Sequence, residues 1–304
     1  MAKLILSLFV CCLSTVALAD SSLNICDRGP VAPFIAAAVG AQSCAEVSSE
    51  NLQKLEVLII SNKEIPFLPS NAFAGMGALK SLMLDGDRIA SIAPGVFADL
   101  AELKVLRMSQ NNLTALSEGV FQGLQSLQVL DLSFNRLSLI KLRSFEGLQS
   151  LVELNLTNNV LSALEPLSLG PLKSMRKLDL SNNQLMNMTV QSLSGASALV
   201  TLNLESNRIA CVENGFLSNL PALQVANFRN NRISEVHSRA FRGAKALTTI
   251  ILDSNQIQMI HKNAYADLPN LTDLELHENS IKEVSRSYIG LSESTYIGGV
   301  TVRP

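Results

Sequence analysis

The chain has 304 residues, of which 47% are hydrophobic and 16% are charged, and its formal net charge at pH 7 is -2. This composition is typical of a globular protein with ample apolar material for a core, and it excludes a disordered tail. No run of Lys or Arg supplies the positive surface that nucleic-acid binding requires. The sequence therefore argues against a nucleic-acid partner.

Residues 1–19 have the pattern of a secretory signal peptide. Lys3 precedes an apolar run that starts at Leu4, and Ala17-Leu18-Ala19 matches the small-x-small pattern at which signal peptidase cleaves. The apolar run is shorter than the roughly 20 residues that cross a bilayer, which disfavours a membrane anchor. We therefore expect an exported protein without a membrane span, which would be extracellular or, in a bacterium, periplasmic or at the cell surface.

Removal of that segment would leave three cysteines, Cys26, Cys44 and Cys211. In an oxidising compartment Cys26 and Cys44 would most simply form a disulfide across a short loop. Cys211 would then be unpaired. It is either a shielded thiol or one half of an intermolecular bridge.

A period of 24 residues runs through most of the chain. The apolar triplet of "LVELNL" (residues 151–156) recurs without an insertion in ten copies that begin at Leu55, Leu79, Leu103, Leu127, Leu151, Met175, Leu199, Leu223, Leu247 and Leu271. The alternation within each copy has a period of two, which predicts a short strand. Successive strands would stack about 4.8 Å apart into one parallel sheet. Because one unit cannot bury its own leucines, the units must stack on one another.

The full unit reads L-x-x-L-x-L-x-x-N-x-L, as in "LQVLDLSFNRL" (residues 127–137). From Leu55 to about Ile289 the chain resembles the leucine-rich repeat family in its 24-residue extracellular type. The resemblance implies an α/β repeat solenoid, a curved horseshoe with a parallel β-sheet on the concave face, and a non-enzymatic role in recognition. We expect a helical cap over 20–54 that resembles the cap of internalin-like bacterial proteins, ten repeats over 55–294, and a capping strand over 295–304.

Two further columns of residues support this architecture. A side-chain amide donates and accepts at once, so Asn at the ninth position is expected to pair with inward-facing backbone groups. These residues are Asn111, Asn135, Asn159, Asn183, Asn207, Asn231, Asn255 and Asn279. Lys63 and Asp87 replace them in the first two units, where less regular corners are expected. The second column lies on the return side, the part of each repeat that leads from one strand back to the start of the next. Its large residues predict a curved stack, and they are Phe73, Phe97, Phe121, Phe145, Leu169, Leu193, Leu217, Phe241, Tyr265 and Ile289.

The positions between the leucines are expected to face the concave surface. Arg107 and Phe134, which we expect to be exposed near Val105 and Val129, have the composition of an interface anchor. The alternative is that Phe134 is an isolated surface residue without a binding role, since single exposed apolar residues are common. We predict a protein partner on this face, with a glycan or peptidoglycan fragment as the second choice of ligand. The predicted contact residues are Met83, Arg107, Asp131, Phe134, Glu153, Asn155 and Asp179.

Four Asn-x-Ser/Thr sequons are candidate N-glycosylation sites, at Asn112, Asn155, Asn187 and Asn270. They could equally arise from the repeat itself, which is rich in Asn, Leu and Thr. A sugar on Asn155 would stand in the middle of the predicted binding face.

Two clusters of residues are candidates for chemistry. Asp131 and Asp179 fall two strands apart, about 10 Å, which is near the spacing of inverting glycosidase carboxylates, but solvated carboxylates without a pocket are usually only charges. Glu213, His237 and His261 share one repeat position, so we expect their side chains to line up, as stacked solvated residues in preference to a zinc site.

We therefore predict no catalysis, no cofactor and no metal. The alternative to a recognition protein is a self-associating structural or assembly subunit that would use its ends and Cys211, and the oligomeric state stays open.

Overall fold

The computed structural model describes residues 24–303 with the exception of residue 187, so the predicted signal peptide lies outside the described residues. One parallel sheet of eleven three-residue strands runs the length of the stack. The strands are Val57–Ile59, Ser81–Met83, Val105–Arg107, Val129–Asp131, Glu153–Asn155, Lys177–Asp179, Thr201–Asn203, Val225–Asn227, Thr249–Ile251, Asp273–Glu275 and Tyr296–Gly298. This concave sheet confirms the predicted solenoid.

The register of the sheet follows the sequence period. Val57 pairs with Ser81 and Lys177 pairs with Thr201, an offset of 24 residues. The last strand is offset by 23 residues, since Tyr296 pairs with Asp273. An offset equal to the repeat keeps like positions opposite one another, so the side chains of successive repeats form straight columns.

The leucines of each repeat form the interior of the stack. Leu151, Leu154 and Leu156 are at most 1% exposed, whereas Glu153 between them is exposed. Burial of each such side chain stabilises the fold by about 2 kcal/mol, and only the adjacent repeats supply the cover. The alternation therefore places Glu153 and its equivalents on the open face.

The asparagine ladder is present at all eight predicted positions. Asn135 is typical: its Nδ2 donates to the carbonyl of Met108 in the preceding repeat (2.9 Å) and to that of Leu132 (3.1 Å), while its Oδ1 accepts from the N–H of Leu113 (3.0 Å). One amide thus satisfies backbone groups in two consecutive repeats, which explains the requirement for a side chain that both donates and accepts.

The stack curves because its outer side is longer than its inner side. Phe73, Phe97, Phe121 and Phe145 form a continuous stack with ring centroids 6.1 to 6.3 Å apart. Strands in a sheet lie about 4.8 Å apart. The excess on the return side bends the solenoid with the strands inside, as predicted from this column.

Short elements complete the structure. The α-helices are Ala32–Ala38, Ser49–Gln53 and Arg286–Ile289, and the 3-10 helices are Ile25–Asp27, Gly29–Val31, Cys44–Glu46 and Val190–Leu193. Two-residue strands on the return side pair as Phe67–Leu68 with Ser91–Ile92, as Leu139–Ile140 with Ala163–Leu164, and as the trio Cys211–Val212, Glu235–Val236 and Met259–Ile260.

Between residues 24 and 303, residue 187 aside, there is no helix with the length and apolarity that crossing a bilayer requires.

Both ends of the stack are capped. The predicted disulfide between Cys26 and Cys44 is present, with the Cα atoms 5.2 Å apart, and it closes the N-terminal helical segment. At the other end, residues 295–304 were expected to form one capping strand. The chain instead divides there: Tyr296–Gly298 extends the concave sheet, and Thr301–Arg303 pairs with Glu283–Ser285. The turn at Gly299, whose φ is +82°, separates the two strands.

Candidate binding surface

Four of the predicted contact residues line one depression in the middle of the concave sheet. Its volume is about 140 Å³. The lining residues are Val129, Leu130, Asp131, Glu153, Leu154, Asn155, Lys177 and Asp179. A second depression of about 190 Å³ adjoins it, shares Lys177 and Asp179, and continues to Ile251. The middle of the sheet therefore offers a continuous trough in which polar side chains stand beside the partly exposed Val129, Val225 and Ile251.

The polar residues of this trough also accept hydrogen bonds from the backbone N–H groups two residues further along the chain. Oδ1 of Asp131 accepts from the N–H of Ser133 (3.0 Å), and Oδ1 of Asn155 accepts from the N–H of Thr157 (3.1 Å). Asp179 repeats the arrangement in the next strand. Such turns favour Asp or Asn at this position, since both side chains carry a short acceptor. One oxygen of each of these side chains is thus used structurally, and the second oxygen of Asp179, Oδ2, also accepts a hydrogen bond from Nδ2 of Asn203 (3.2 Å).

Lys177 lines the trough but is not among the contact residues predicted from the sequence. The sheet register places it opposite Glu153, and its Nζ lies 3.9 Å from Oε2 of that residue. Both side chains are about half exposed, so the ion pair contributes little to stability and either charge can turn to a partner. Lys177 could have been predicted from the sequence, because it stands one 24-residue repeat after the predicted contact residue Glu153.

The other predicted contact residues lie outside the trough. Met83 and Arg107 occupy the same column of the sheet further towards the N-terminus, where Arg107 Nε lies 3.2 Å from Asp85 Oδ2. Phe134 is 52% exposed on the corner that follows its strand, with a φ of +53°. The structure therefore does not bring Phe134 into the depression that Asp131 lines.

The candidate glycosylation sites differ in their surroundings. Asn155 is half-buried in the trough and Asn112 is half-buried beside a corner. Asn270 is exposed, and its Nδ2 donates to the carbonyl of Lys245 (2.9 Å). Asn187 lies outside the described residues.

The histidine column differs from the expected one in its carboxylate. His237 and His261 stack with their ring centroids 5.1 Å apart, as predicted for neighbouring repeats. The carboxylate that contacts them is Glu235, whose Oε2 lies 3.2 Å from His261 Nε2 and 3.9 Å from His237 Nε2. The contact with Glu235 was not expected from the sequence, whereas the alignment of Glu213 with the two histidines stays a prediction.

Cys211 lies on the neighbouring strand, opposite Glu235 in the register. Partial burial raises the pKa of its thiol, and the nearby carboxylates of Glu213 and Glu235 raise it further. A raised pKa lowers the thiolate fraction and hence the reactivity of the group.

Comparison with known proteins agrees with this geometry. The leucine-rich repeat family model matches residues 77–137, 125–185, 197–257 and 245–298. A search of curated proteins found no significant match.

Among solved structures, the chain is similar to that of TLR13 in a complex with ssRNA13, with 26% identity and a TM-score of 0.70 over 83% of this chain and 36% of that one. It is also similar to an internalin, InlF of Listeria monocytogenes, with 20% identity and a TM-score of 0.69 over 94% and 80% of the two chains. A third similar chain occurs in the octameric complex of latrophilin 3, Unc5D and FLRT2, with 21% identity and a TM-score of 0.71 over 84% and 79%.

This chain thus spans about a third of the TLR13 chain that it resembles. The matched segments together cover more than half of the sequence, and they contain ten of the eleven strands of the concave sheet, all except Val57–Ile59. The chain belongs to the leucine-rich repeat family.

Proposed function

We propose that the protein is an exported, non-enzymatic recognition module that binds a protein partner in the central trough of its concave sheet. The observation that carries this proposal is the trough itself. Asp131, Glu153, Asn155, Lys177 and Asp179 present charged and amide groups beside the partly exposed Val129.

The shape of the trough favours a macromolecule over a small substrate. Small-molecule sites are usually concave pockets of about 300–1,000 Å³ that surround their ligand. The first depression is smaller, about 140 Å³, and it continues into the second along the sheet. A partner would therefore lie along several strands and contact one or two side chains from each.

The charges of the trough favour a partner surface that is mainly basic and carries an acidic group opposite Lys177. Asp131, Glu153 and Asp179 outnumber the single cation Lys177, so the centre of the surface is acidic. Acidic surfaces repel phosphate backbones, which supports a protein rather than a nucleic acid as the partner. TLR13 was solved with an RNA, so the fold alone does not argue against a nucleic acid, and the argument rests on the acidic centre of this chain.

Site-specific photocrosslinking tests the proposal. A benzophenone amino acid at position 153, in the trough, is compared with the same probe at position 149, an exposed site on the turn before the strand. In the protein's native surroundings we expect a crosslinked partner from position 153 and not from position 149. Lys177→Glu should abolish that crosslink without changing the fold, since Lys177 is exposed.

Equal crosslinking from both positions, or a product that Lys177→Glu leaves unchanged, would contradict the assignment of the trough. A crosslinked product that consists only of two copies of this chain would support the self-associating alternative instead.

A further inference from the structure

Three residues near the C-terminal end of the concave sheet repeat the positions of three residues near its beginning. Asp253, Glu275 and His277 stand seven 24-residue repeats after Asp85, Arg107 and Ser109. The two triplets therefore occupy equivalent places in the fold but differ in chemistry, and the earlier triplet serves as an internal reference.

In the earlier triplet the aspartate is fully satisfied. Ser109 donates to Asp85 Oδ1 through its backbone N–H (2.9 Å) and its hydroxyl (2.7 Å). Arg107 Nε lies 3.2 Å from Asp85 Oδ2. A permanent cation thus balances the single carboxylate.

In the later triplet a second carboxylate stands where the arginine would be. The N–H of His277 donates to Asp253 Oδ1 (2.8 Å), as Ser109 does in its repeat. Glu275 takes the position of Arg107, and its Oε2 is buried without accepting a hydrogen bond. Among residues 24–303, residue 187 aside, no Lys or Arg forms an ion pair with Asp253 or Glu275. Two carboxylates therefore face a single imidazole.

The three donor groups already have the spacing of metal ligands. His277 Nδ1 lies 3.2 Å from Asp253 Oδ1 and 3.2 Å from Glu275 Oε2, and the three ligand atoms all lie within 4.8 Å of one another. In a tetrahedral site with bonds of about 2.1 Å, ligand atoms are separated by about 3.4 Å. An ion could therefore enter between them with little movement of the side chains.

The C-terminal cap leaves room for this arrangement. Gly298 pairs with Glu275 in the sheet, and a Cβ atom on Gly298 would collide with Oε2 of Glu275 and with the ring of His277. The absence of a side chain at this position allows the carboxylate and the imidazole to fold over the last strand.

We propose that Asp253, Glu275 and His277 bind one divalent transition-metal cation of the zinc class at the C-terminal end of the concave sheet. An imidazole together with carboxylates is a ligand set that such ions accept. The bound ion would balance the two carboxylates and would coordinate the unsatisfied oxygen of Glu275. Three protein ligands leave one coordination position open, and His277 is half exposed, so that position would face solvent.

Calorimetric titration of the untagged protein with zinc chloride at pH 7.5 tests this site. We expect one zinc ion per chain and an increase in the thermal unfolding temperature, since an ion that binds only the folded state stabilises it. His277→Gln and Asp253→Asn should each weaken zinc binding by about tenfold or more, because the first removes the imidazole and the second replaces a charged carboxylate by a neutral amide, which is a weaker ligand. Glu275→Gln serves as a third variant if either of these fails to fold.

Two controls separate this site from other candidates. Asp85→Asn changes the equivalent aspartate of the reference triplet and should leave zinc binding unchanged. The double variant His237→Gln, His261→Gln removes the other imidazoles and should also leave it unchanged. Absence of heat and of a thermal shift with zinc, or binding that survives His277→Gln but is lost in the double variant, would overturn the proposal.

Discussion

Asp87 accepts a hydrogen bond from the backbone N–H of Lys63, 24 residues earlier, at a corner where the following eight repeats carry asparagine. Its side chain is completely buried, and its Oδ2 has no partner. An asparagine amide at this position would donate to backbone carbonyls, as Asn135 does. Burial raises the pKa of the Asp87 carboxyl, and the negative charge of Asp85 raises it further. The hydrogen bond from the backbone of Lys63 lowers the pKa but does not cancel the effect of burial.

Asp87→Asn is therefore expected to raise the free energy of unfolding at pH 7 by about 1–3 kcal/mol, the cost of a buried unsatisfied polar group. Because the folded-state pKa is raised, the contribution of Asp87 to stability is present below its ordinary pKa near 3.8 and is lost as pH rises through the raised value. The advantage of the variant should thus be larger at pH 7 than at pH 4 in urea denaturation. If the difference in free energy of unfolding between Asp87→Asn and the wild type grew as the pH fell, this prediction would be contradicted.

The matched control reverses the substitution in a regular corner. Asn135→Asp removes the donor to Met108 and Leu132 and buries a carboxylate among carbonyls. We expect this variant to be less stable than the wild type at pH 7.

The sequence predicted the repeating parts of the molecule and missed the parts that vary. Asn135 and its equivalents could be assigned because one backbone geometry recurs in every repeat and admits one kind of side chain. Phe134 could not be placed as well, since the corner that carries it is a solvent-facing position on which the repeat imposes no side chain. The period also aligned His237 with His261, but it did not reveal that Glu235, from a neighbouring position, turns towards them.

Tyr265 provides a second test of burial. It stands in the column of large return-side residues and stacks on Phe241 with the ring centroids 5.4 Å apart. Its hydroxyl is buried without a hydrogen-bond partner, and burial raises the pKa of the phenol. Tyr265→Phe keeps the stack and removes the unsatisfied hydroxyl, so the free energy of unfolding should rise by about 1 kcal/mol or more.

The reciprocal variant Phe241→Tyr would place a second hydroxyl in the same column, and its unfolding transition should shift to lower denaturant. If Tyr265→Phe were less stable than the wild type, the hydroxyl would have a partner that the structure does not contain.

Cys211 should react slowly with thiol reagents. Burial, together with Glu213 and Glu235, raises the pKa of its thiol, so at pH 8 the thiolate fraction is smaller than for an exposed cysteine. In the folded protein we expect 5,5'-dithiobis(2-nitrobenzoate) to modify it several-fold more slowly than a small-molecule thiol, and full reactivity to return in denaturant. Cys211→Ser should leave the size of the protein on a non-reducing column unchanged. A disulfide-linked dimer that disappears in this variant would instead support the intermolecular bridge.

Gly123 tests how tightly the return side is packed. Its φ is +101°, and a Cβ atom there would collide with the backbone of Phe97 and Ala98 in the preceding repeat. Gly95 has a positive φ of +77° but has no atom within 4 Å of the Cβ position, so it isolates the conformational part of the effect. Replacing Gly95 by Ala should cost about 1 kcal/mol, the usual penalty for an L-residue in this region. Gly123→Ala should lower the free energy of unfolding clearly more. The return segment that contains Gly123 must then also move away from that of the preceding repeat to make room for the Cβ atom. Equal losses in denaturant unfolding would show that the two return segments can separate freely, and the curvature would then not depend on close packing at this glycine.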